Sequence, residues 1–196
     1  QSYADAAKNA ISAGFDGVEI HAANGYLIDQ FLHYHTNLRQ DIYGGTPEKM
    51  SRFALEIVTA CAEAIGYQRV GIRLSPGAYM NEIVGDLRDA DVFTYLLSAL
   101  NDIPIAYVHT GNFDDSVKFK ELDEQTMTQF IRNHYNGNII ASGSYDLIEA
   151  EKQAAQRDFD LISLGRPFIA NPNLIVKYKQ QLSLDSYDGS MLDILN

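Results

Sequence analysis

Hydrophobic residues recur along the chain with two alternating spacings. Short runs rich in Val, Ile and Leu are typical of buried strands, and the segments between them repeat apolar residues at the spacing of amphipathic helices. The predicted strands are 17–20, 69–74, 105–109, 138–142 and 161–164. The predicted helices are 2–13, 47–66, 89–100, 123–134, 147–157 and 171–181. This alternation predicts an α/β fold with parallel strands joined by crossover helices.

Five parallel strands fit two architectures. One is an open, doubly wound sheet, and the other is most of an eight-stranded (β/α)8 TIM barrel. The barrel is favoured because unusual polar residues collect where the predicted strands end, and sites of parallel folds are built there. These residues are His21, Asn24, Arg73, His109, Ser142, Ser144 and Arg166. We found no linker or repeat, so we expect one domain over residues 1–196.

Composition and charge exclude several classes of protein. The chain has 26 acidic and 15 basic residues, a formal net charge of -11, so we expect no binding to nucleic acid. No apolar run approaches the roughly 20 residues of a membrane span, and residues 1–5 do not resemble a signal peptide. We therefore expect a cytoplasmic protein. Cys61 should lie in the core, and no spacing of His or Cys residues predicts a metal site. Residue 1 is not an initiator Met, so we expect a longer parent chain.

Three side chains that can donate hydrogen bonds follow the first predicted strand within six residues. They are His21, Asn24 and Tyr26. The imidazole and the carboxamide could polarise one carbonyl oxygen, and the phenol could act as a general acid. Polar and aromatic residues in loops also serve as caps and in packing. Spacing alone therefore leaves a catalytic and a structural role open.

Several residues near later strand ends could bind an anion. Arg73 ends an apolar strand, where its guanidinium needs an anionic ligand or an internal salt bridge. The turns Ser142-Gly143-Ser144 and Gly165-Arg166 could hold a phosphate on backbone N–H groups, or their glycines could simply permit tight turns. His109 could face the same site or bond to a backbone carbonyl inside the protein. The acidic pair Asp114-Asp115 is expected on a solvated surface.

Longer motifs join these segments. In chain order they read GFDGVEIH (14–21), NGYLIDQFL (24–32), YGG (43–45), RF (52–53), VGIRLSP (70–76), ASGSY (141–145) and GRPFIANP (165–172). The succession covers nearly the whole chain and resembles the signature of the Old Yellow Enzyme family. Within that family it is most similar to bacterial N-ethylmaleimide reductases and related xenobiotic reductases.

The resemblance implies an FMN-dependent barrel that uses NADH or NADPH to reduce activated carbon-carbon double bonds, as in enones and maleimides, with nitro compounds as further candidates. It matches His21 and Asn24 to the pair that binds the substrate carbonyl oxygen. It matches Tyr26 to the phenol that protonates the α-carbon, and Arg73 to the cation near the flavin pyrimidine edge. The residues matched to the FMN phosphate site are Ser142, Gly143, Ser144, Gly165 and Arg166.

The resemblance also implies that part of the barrel lies outside this chain. The strand at 17–20 corresponds to the family's fourth, so the chain supplies about five βα units, strands 4–8. A missing N-terminal half or a second chain is expected to complete the barrel. The family's C-terminal GYTDYP segment does not follow residues 187–189. Two alternatives stay open: a non-catalytic fragment or partner subunit that binds no flavin alone, and another phosphate-binding barrel enzyme such as a dihydroorotate dehydrogenase relative.

Overall fold

The computed structural model describes residues 1–194 as alternating strands and helices. The strands are β1 Val18–Ala22, β2 Val70–Leu74, β3 Tyr107–Thr110, β4 Ile139–Ser142 and β5 Leu161–Ser163. The α-helices are α1 Ser2–Ser12, α2 Asp29–Leu32, α3 Pro47–Ile65, α4 Asp89–Leu100, α5 Met127–His134, α6 Leu147–Ala155, α7 Arg166–Ala170 and α8 Leu174–Lys179. Short 3₁₀ helices lie at Tyr67–Arg69, Lys120–Leu122 and Gly189–Ile194. Of the helices in this range, none has the length and apolar character needed to cross a membrane.

The order of the strands in the sheet distinguishes the two predicted architectures. The sheet runs β1-β2-β3-β4-β5, in the order of the chain. The pairs β1/β2, β2/β3 and β3/β4 are parallel. A doubly wound sheet reverses its strand order at a switch point, whereas a barrel adds each strand beside the one before it. The sequential order therefore favours the barrel.

The helices that cover the sheet enclose an apolar core. Helix α3 lies against α1, α4 and β2. Its first turn forms as predicted, because Pro47 is the first helical residue and the Thr46 side chain accepts a hydrogen bond from the Lys49 N–H at 3.4 Å. Cys61, on the same helix, is buried in the core, which confirms the prediction for this residue.

The chain divides into two compact units, from Gln1 to Ile162 and from Ser163 onward. The first contains the complete strands β1 to β4 and most of the core. In the second, the buried Asn171 side chain accepts hydrogen bonds from the Lys177 ammonium and the Asp185 N–H. The expectation of one domain over residues 1–196 stays a prediction.

Several element boundaries differ from those predicted. β1 and β3 extend beyond their predicted ends, so His21 lies within its strand rather than after it, and Thr110 rather than His109 is the last residue of β3. The helix predicted at 123–134 begins only at Met127, because Asp123 has a left-handed φ of 54° and Thr126 forms a capping box with Gln129. The last predicted helix is shorter, and the short helices α2 and α7 were not predicted.

Candidate active site

The two faces of the sheet carry different residues. Successive side chains of a strand point to opposite faces, and the helix-side positions of the first three strands are mostly buried and apolar, as at Ile72. The positions between them include His21, Arg73 and His109, which are paired in register across β1, β2 and β3. The face away from the helices therefore carries a row of three nitrogen-bearing side chains.

Tyr26 lies beside His21 at the carboxyl end of β1. The two ring centroids are 5.0 Å apart, and Tyr26 is 57% exposed. Burial and the neighbouring positive charge of Arg73 lower the pKa of His21 below its usual 6.5. His21 therefore carries a neutral imidazole near pH 7. A neutral imidazole has one N–H donor, so the two rings together can offer two donors to a ligand.

Asn24 is held in a conformation that few residues other than glycine adopt. Its φ is 61°, in the left-handed region. Its backbone N–H donates to Ser75 Oγ at 2.7 Å, and its carbonyl oxygen accepts from Asn81 Nδ2. Its side-chain Oδ1 lies 2.6 Å from the Tyr79 hydroxyl. Residues after β2 thus hold both the backbone and the side chain of Asn24.

A buried ionic network lies under this loop. Asp29 Oδ2 accepts from the Gly25 N–H at 2.8 Å and from the Ser75 hydroxyl at 3.2 Å. His33 places Nε2 3.4 Å from Asp29 Oδ1 and Nδ1 2.9 Å from Asp89 Oδ2. Burial alone lowers the pKa of His33, but the close contacts with the Asp29 and Asp89 carboxylates and their charges raise it to about 9. The imidazolium is therefore charged at neutral pH and joins the loop to α2 and α4.

Arg73 has a buried donor without a partner. Its Nε makes no hydrogen bond, and no carboxylate of residues 1–194 forms an ion pair with its guanidinium. The internal salt bridge considered from the sequence is therefore absent from the described part of the chain. A buried guanidinium donor is costly to leave unsatisfied, and an anionic ligand on this face would satisfy it.

His109 bonds to a carboxylate and not to a backbone carbonyl. Its Nδ1 lies 2.8 Å from Glu19 Oε2. Burial raises the pKa of Glu19, but the hydrogen bond and charge of His109 outweigh this effect and lower it. Of the two alternatives considered from the sequence, the backbone carbonyl is therefore not the partner, because Glu19 reaches His109 from β1, two strands away in the sheet.

The turn after β4 is shaped by the loop after β3. Gly143 has a φ of 151°, and a Cβ there would lie 2.7 Å from the Asp115 Cβ. The Ser144 N–H donates to Asp115 Oδ1 at 2.7 Å. The Ser142 hydroxyl donates to the carbonyl oxygen of Thr110. Asp114 is exposed and Asp115 has intermediate exposure, so the pair lies at the surface as expected, but the Asp115 carboxylate also binds this turn.

Gly165 and Arg166 lie in the second compact unit, at the start of α7. Gly165 is the N-cap residue and Arg166 the first residue of the helix. A Cβ added at Gly165 would meet no atom within 4 Å, so packing does not require glycine there. The role of both residues in phosphate binding stays a prediction.

The first unit brings most of the predicted site together. His21, Tyr26 and Arg73 lie at the carboxyl ends of two paired strands, and Asn24 lies in the loop between the first two. Sequence reasoning missed Tyr79, which contacts Asn24 from 55 residues away. It also missed the network under the loop, although the four-residue spacing of Asp29, the first residue of α2, and His33, the residue that follows this helix, was a usable signal.

Comparison with known proteins identifies the family. Residues 1–185 match the model of the NADH:flavin oxidoreductase / NADH oxidase family. The chain belongs to this family. The resemblance to the Old Yellow Enzyme family stated from the sequence is thereby confirmed, since solved homologues of that enzyme also match, as described below.

The names of curated relatives include a flavin oxidoreductase and several 12-oxophytodienoate reductases. The chain is 40% identical to the flavin oxidoreductase hxnT of Emericella nidulans, over 96% of this chain and 53% of that protein. It is also 40% identical to the putative 12-oxophytodienoate reductase 10 of Oryza sativa subsp. japonica, over 94% and 60% of the two chains. The chain therefore spans about half the length of the curated relatives it matches.

Solved structures of the family confirm the fold. Morphinone reductase in complex with tetrahydroNAD matches with a TM-score of 0.84 and 38% identity, over 96% of this chain and 50% of that chain. The Old Yellow Enzyme homologue from Zymomonas mobilis matches with a TM-score of 0.87 and 32% identity, over 96% and 53%. The five parallel strands and their helices thus correspond to about half of the barrel of these proteins, as expected from the resemblance.

Proposed function

We propose that the protein is an FMN-dependent oxidoreductase that uses NADH or NADPH to reduce activated carbon-carbon double bonds of small electrophilic alkenes such as enones and maleimides. The observation that carries the proposal is the arrangement of His21, Tyr26 and Arg73. The hydrogen-bonding rings of His21 and Tyr26 lie side by side, and His21 is paired in register with Arg73, whose buried Nε has no partner within residues 1–194. Family membership supports the same chemistry.

The residues present fit a flavin in two respects. Arg73 offers a buried donor to an electron-rich ring edge, which is where negative charge accumulates on reduction. In the Gly143 turn, the Ser144 N–H already binds an anionic group, the Asp115 carboxylate, which supports a phosphate-binding role for this N–H. A phosphate at this N–H would have to replace Asp115. Ser142 belongs to the same turn, and the assignment of Gly165 and Arg166 to the phosphate stays a prediction from the resemblance.

The chain's own residues orient the substrate and supply the proton. FMN, when bound, supplies the hydride chemistry. His21, with its neutral imidazole, donates one hydrogen bond to the substrate carbonyl oxygen, and Asn24 donates a second. These bonds draw electron density toward the oxygen and make the β-carbon electrophilic. The Tyr26 hydroxyl gives its proton to the α-carbon as the β-carbon receives hydride, so the alkene gains two hydrogens.

A second candidate follows from the length of the relatives. The chain spans about half of them, and in this candidate it is a non-catalytic fragment or partner subunit that binds flavin only when the rest of a barrel is present. The relation to dihydroorotate dehydrogenases considered from the sequence has less support, because the family matched is that of NADH:flavin oxidoreductases.

Anaerobic absorption spectroscopy tests the proposal. The purified protein is mixed with FMN, freed of unbound flavin and examined for a flavin spectrum. NADH or NADPH should bleach the bound flavin, and cyclohexenone should restore the oxidised spectrum. A colourless protein would favour the fragment, and a bleached protein that cyclohexenone and N-ethylmaleimide fail to reoxidise would contradict the proposed substrate class.

A further inference from the structure

The Tyr79 hydroxyl lies between two oxygen atoms that both accept hydrogen bonds. It is 2.6 Å from Asn24 Oδ1 and 2.7 Å from the carbonyl oxygen of Gly111. A phenol has one proton to donate, so only one of these oxygens can receive it at a time. The choice decides how the Asn24 carboxamide is oriented.

The two choices present opposite ends of the amide to a ligand. If the hydroxyl donates to Gly111, its oxygen can only accept, so Asn24 must turn its NH₂ toward Tyr79 and its oxygen toward the ligand. If the hydroxyl donates to Asn24 Oδ1, the NH₂ group is left to donate to the ligand. Within residues 1–194 the Nδ2 atom has no hydrogen-bond partner and is not buried. The observed contact therefore fits the second choice.

We propose that Tyr79 is a positioning residue that donates to Asn24 Oδ1 and thereby makes Asn24 a hydrogen-bond donor toward the ligand. The inference rests on the proposed function, in which Asn24 donates a hydrogen bond to the carbonyl oxygen of the substrate. A ligand oxygen of this kind only accepts, so it would be repelled by the amide oxygen and bound by the amide NH₂.

The surroundings of Asn24 leave its side chain little freedom apart from this amide rotation. Its backbone is fixed at both ends, by Ser75 and by Asn81. A Cβ on Gly111 would lie 3.1 Å from Asn24 Oδ1, so the side chain is close to the β3 loop. Burial raises the pKa of Tyr79 above 10, against a smaller lowering by Arg73, so the hydroxyl keeps its proton at neutral pH.

The test compares Tyr79→Phe, Asn24→Ala and the double variant in the FMN-loaded protein. Each is titrated with p-chlorophenol, whose phenolate oxygen accepts hydrogen bonds, and binding is followed by the flavin absorbance. Tyr79→Phe should raise the Kd roughly three- to tenfold, since a directional hydrogen bond is lost. In the Asn24→Ala background the same change should alter the Kd by less than about twofold, because its target is gone.

Two further readouts separate positioning from a general structural effect. Tyr79→Phe should raise the KM for cyclohexenone more than it lowers kcat. The side-chain amide signals of Asn24 in the nitrogen-labelled protein should shift in Tyr79→Phe without any ligand. Tyr43→Phe is the matched control, because it removes a hydroxyl that bonds Glu56 on the surface, and it should change neither readout.

The outcomes distinguish this inference from the proposed function. If Asn24→Ala binds p-chlorophenol as tightly as the wild type, Asn24 does not bind the ligand, and both fail. If Asn24→Ala weakens binding but Tyr79→Phe does not, only the role of Tyr79 is wrong. If Tyr79→Phe weakens p-chlorophenol binding equally in the wild type and in the Asn24→Ala variant, the positioning role of Tyr79 is also wrong.

Discussion

Neighbouring residues of the same strands lie on opposite faces of the sheet and have different roles. On the helix side of the sheet, Ile72 and Val108 are completely buried among apolar residues. On the other side, the next residues along the strands are Arg73 and His109, with His21 in the same row. The first set gains stability from burial, while the second leaves polar atoms without partners. The comparison indicates that one side of the sheet stabilises the fold, and the other is the side on which we propose that the ligand binds.

Removing the Tyr26 hydroxyl should have the largest effect on the ligand side. Tyr26→Phe should slow the reoxidation of reduced flavin by cyclohexenone by roughly 10²- to 10⁴-fold, the usual contribution of a positioned general acid. Because Tyr26 is largely exposed, flavin content and stability should stay near the wild-type values. Stopped-flow absorbance measures the rate. A similar loss of bound FMN would instead give Tyr26 a binding role.

Truncating a helix-side residue should lower stability. Ile72→Ala removes a completely buried side chain from the middle of β2 and should cost about 2–5 kcal/mol in the free energy of unfolding. Urea denaturation followed by circular dichroism measures the change. Unchanged stability would show that the helix side does not hold the fold in the way described.

The charged His33 should make stability depend on pH. Its pKa in the folded protein is about 9, above the ordinary 6.5. The charged His33 therefore adds its full share to the free energy of unfolding below pH 6.5, and this stabilisation is lost as pH rises through about 9. The contribution is on the order of 3 kcal/mol. Urea denaturation from pH 6 to 10 should show the wild type losing stability relative to His33→Asn. Parallel curves for the two proteins would mean that His33 is not a charged link between Asp29 and Asp89.

Arg73→Met should affect FMN binding rather than stability, in contrast to the substitution of its neighbour Ile72. The variant keeps an unbranched side chain but removes a guanidinium whose Nε has no internal partner, so stability should change little. FMN affinity should fall roughly 10- to 100-fold if the cation contacts the flavin, as expected for a charge-assisted hydrogen bond. Fluorescence titration of FMN measures it. Unchanged affinity would place the flavin elsewhere.

Asp115→Asn should have the smallest effect, and in the opposite direction. Its carboxylate occupies the Ser144 N–H, where we propose that a phosphate binds, and its charge would repel that phosphate. Removing the charge should therefore strengthen FMN binding, by less than about tenfold because the site is partly open to water. The same fluorescence titration applies. Weaker binding would mean that Asp115 supports the flavin site.

Local signals in the sequence predicted much of the fold. Thr46 and Pro47 defined the start of α3, and Asp146 caps α6 through the N–H groups of the next turn, as expected. These interactions join residues within a few positions of one another. The predicted end of β1 was less accurate, because pairing with β2 extends the strand to Ala22, beyond the run of apolar residues.

Contacts between distant segments could not be predicted in the same way. Tyr79 and Asn24 are 55 residues apart, and His33 and Asp89 are 56 apart. Nothing in the local pattern shows that the loop after β2 folds over the loop after β1. The candidate donors were thus identified from the sequence, while the groups that orient them required the structure.

The most direct test of the ligand-binding face is an experimental structure with FMN and p-chlorophenol bound. The account predicts that the flavin ring lies on the sheet face that carries Arg73, in contact with its guanidinium. The phenolate oxygen should lie within hydrogen-bond distance of His21 and Asn24. A flavin bound on the helix side of the sheet, or a phenol bound away from both donors, would contradict it.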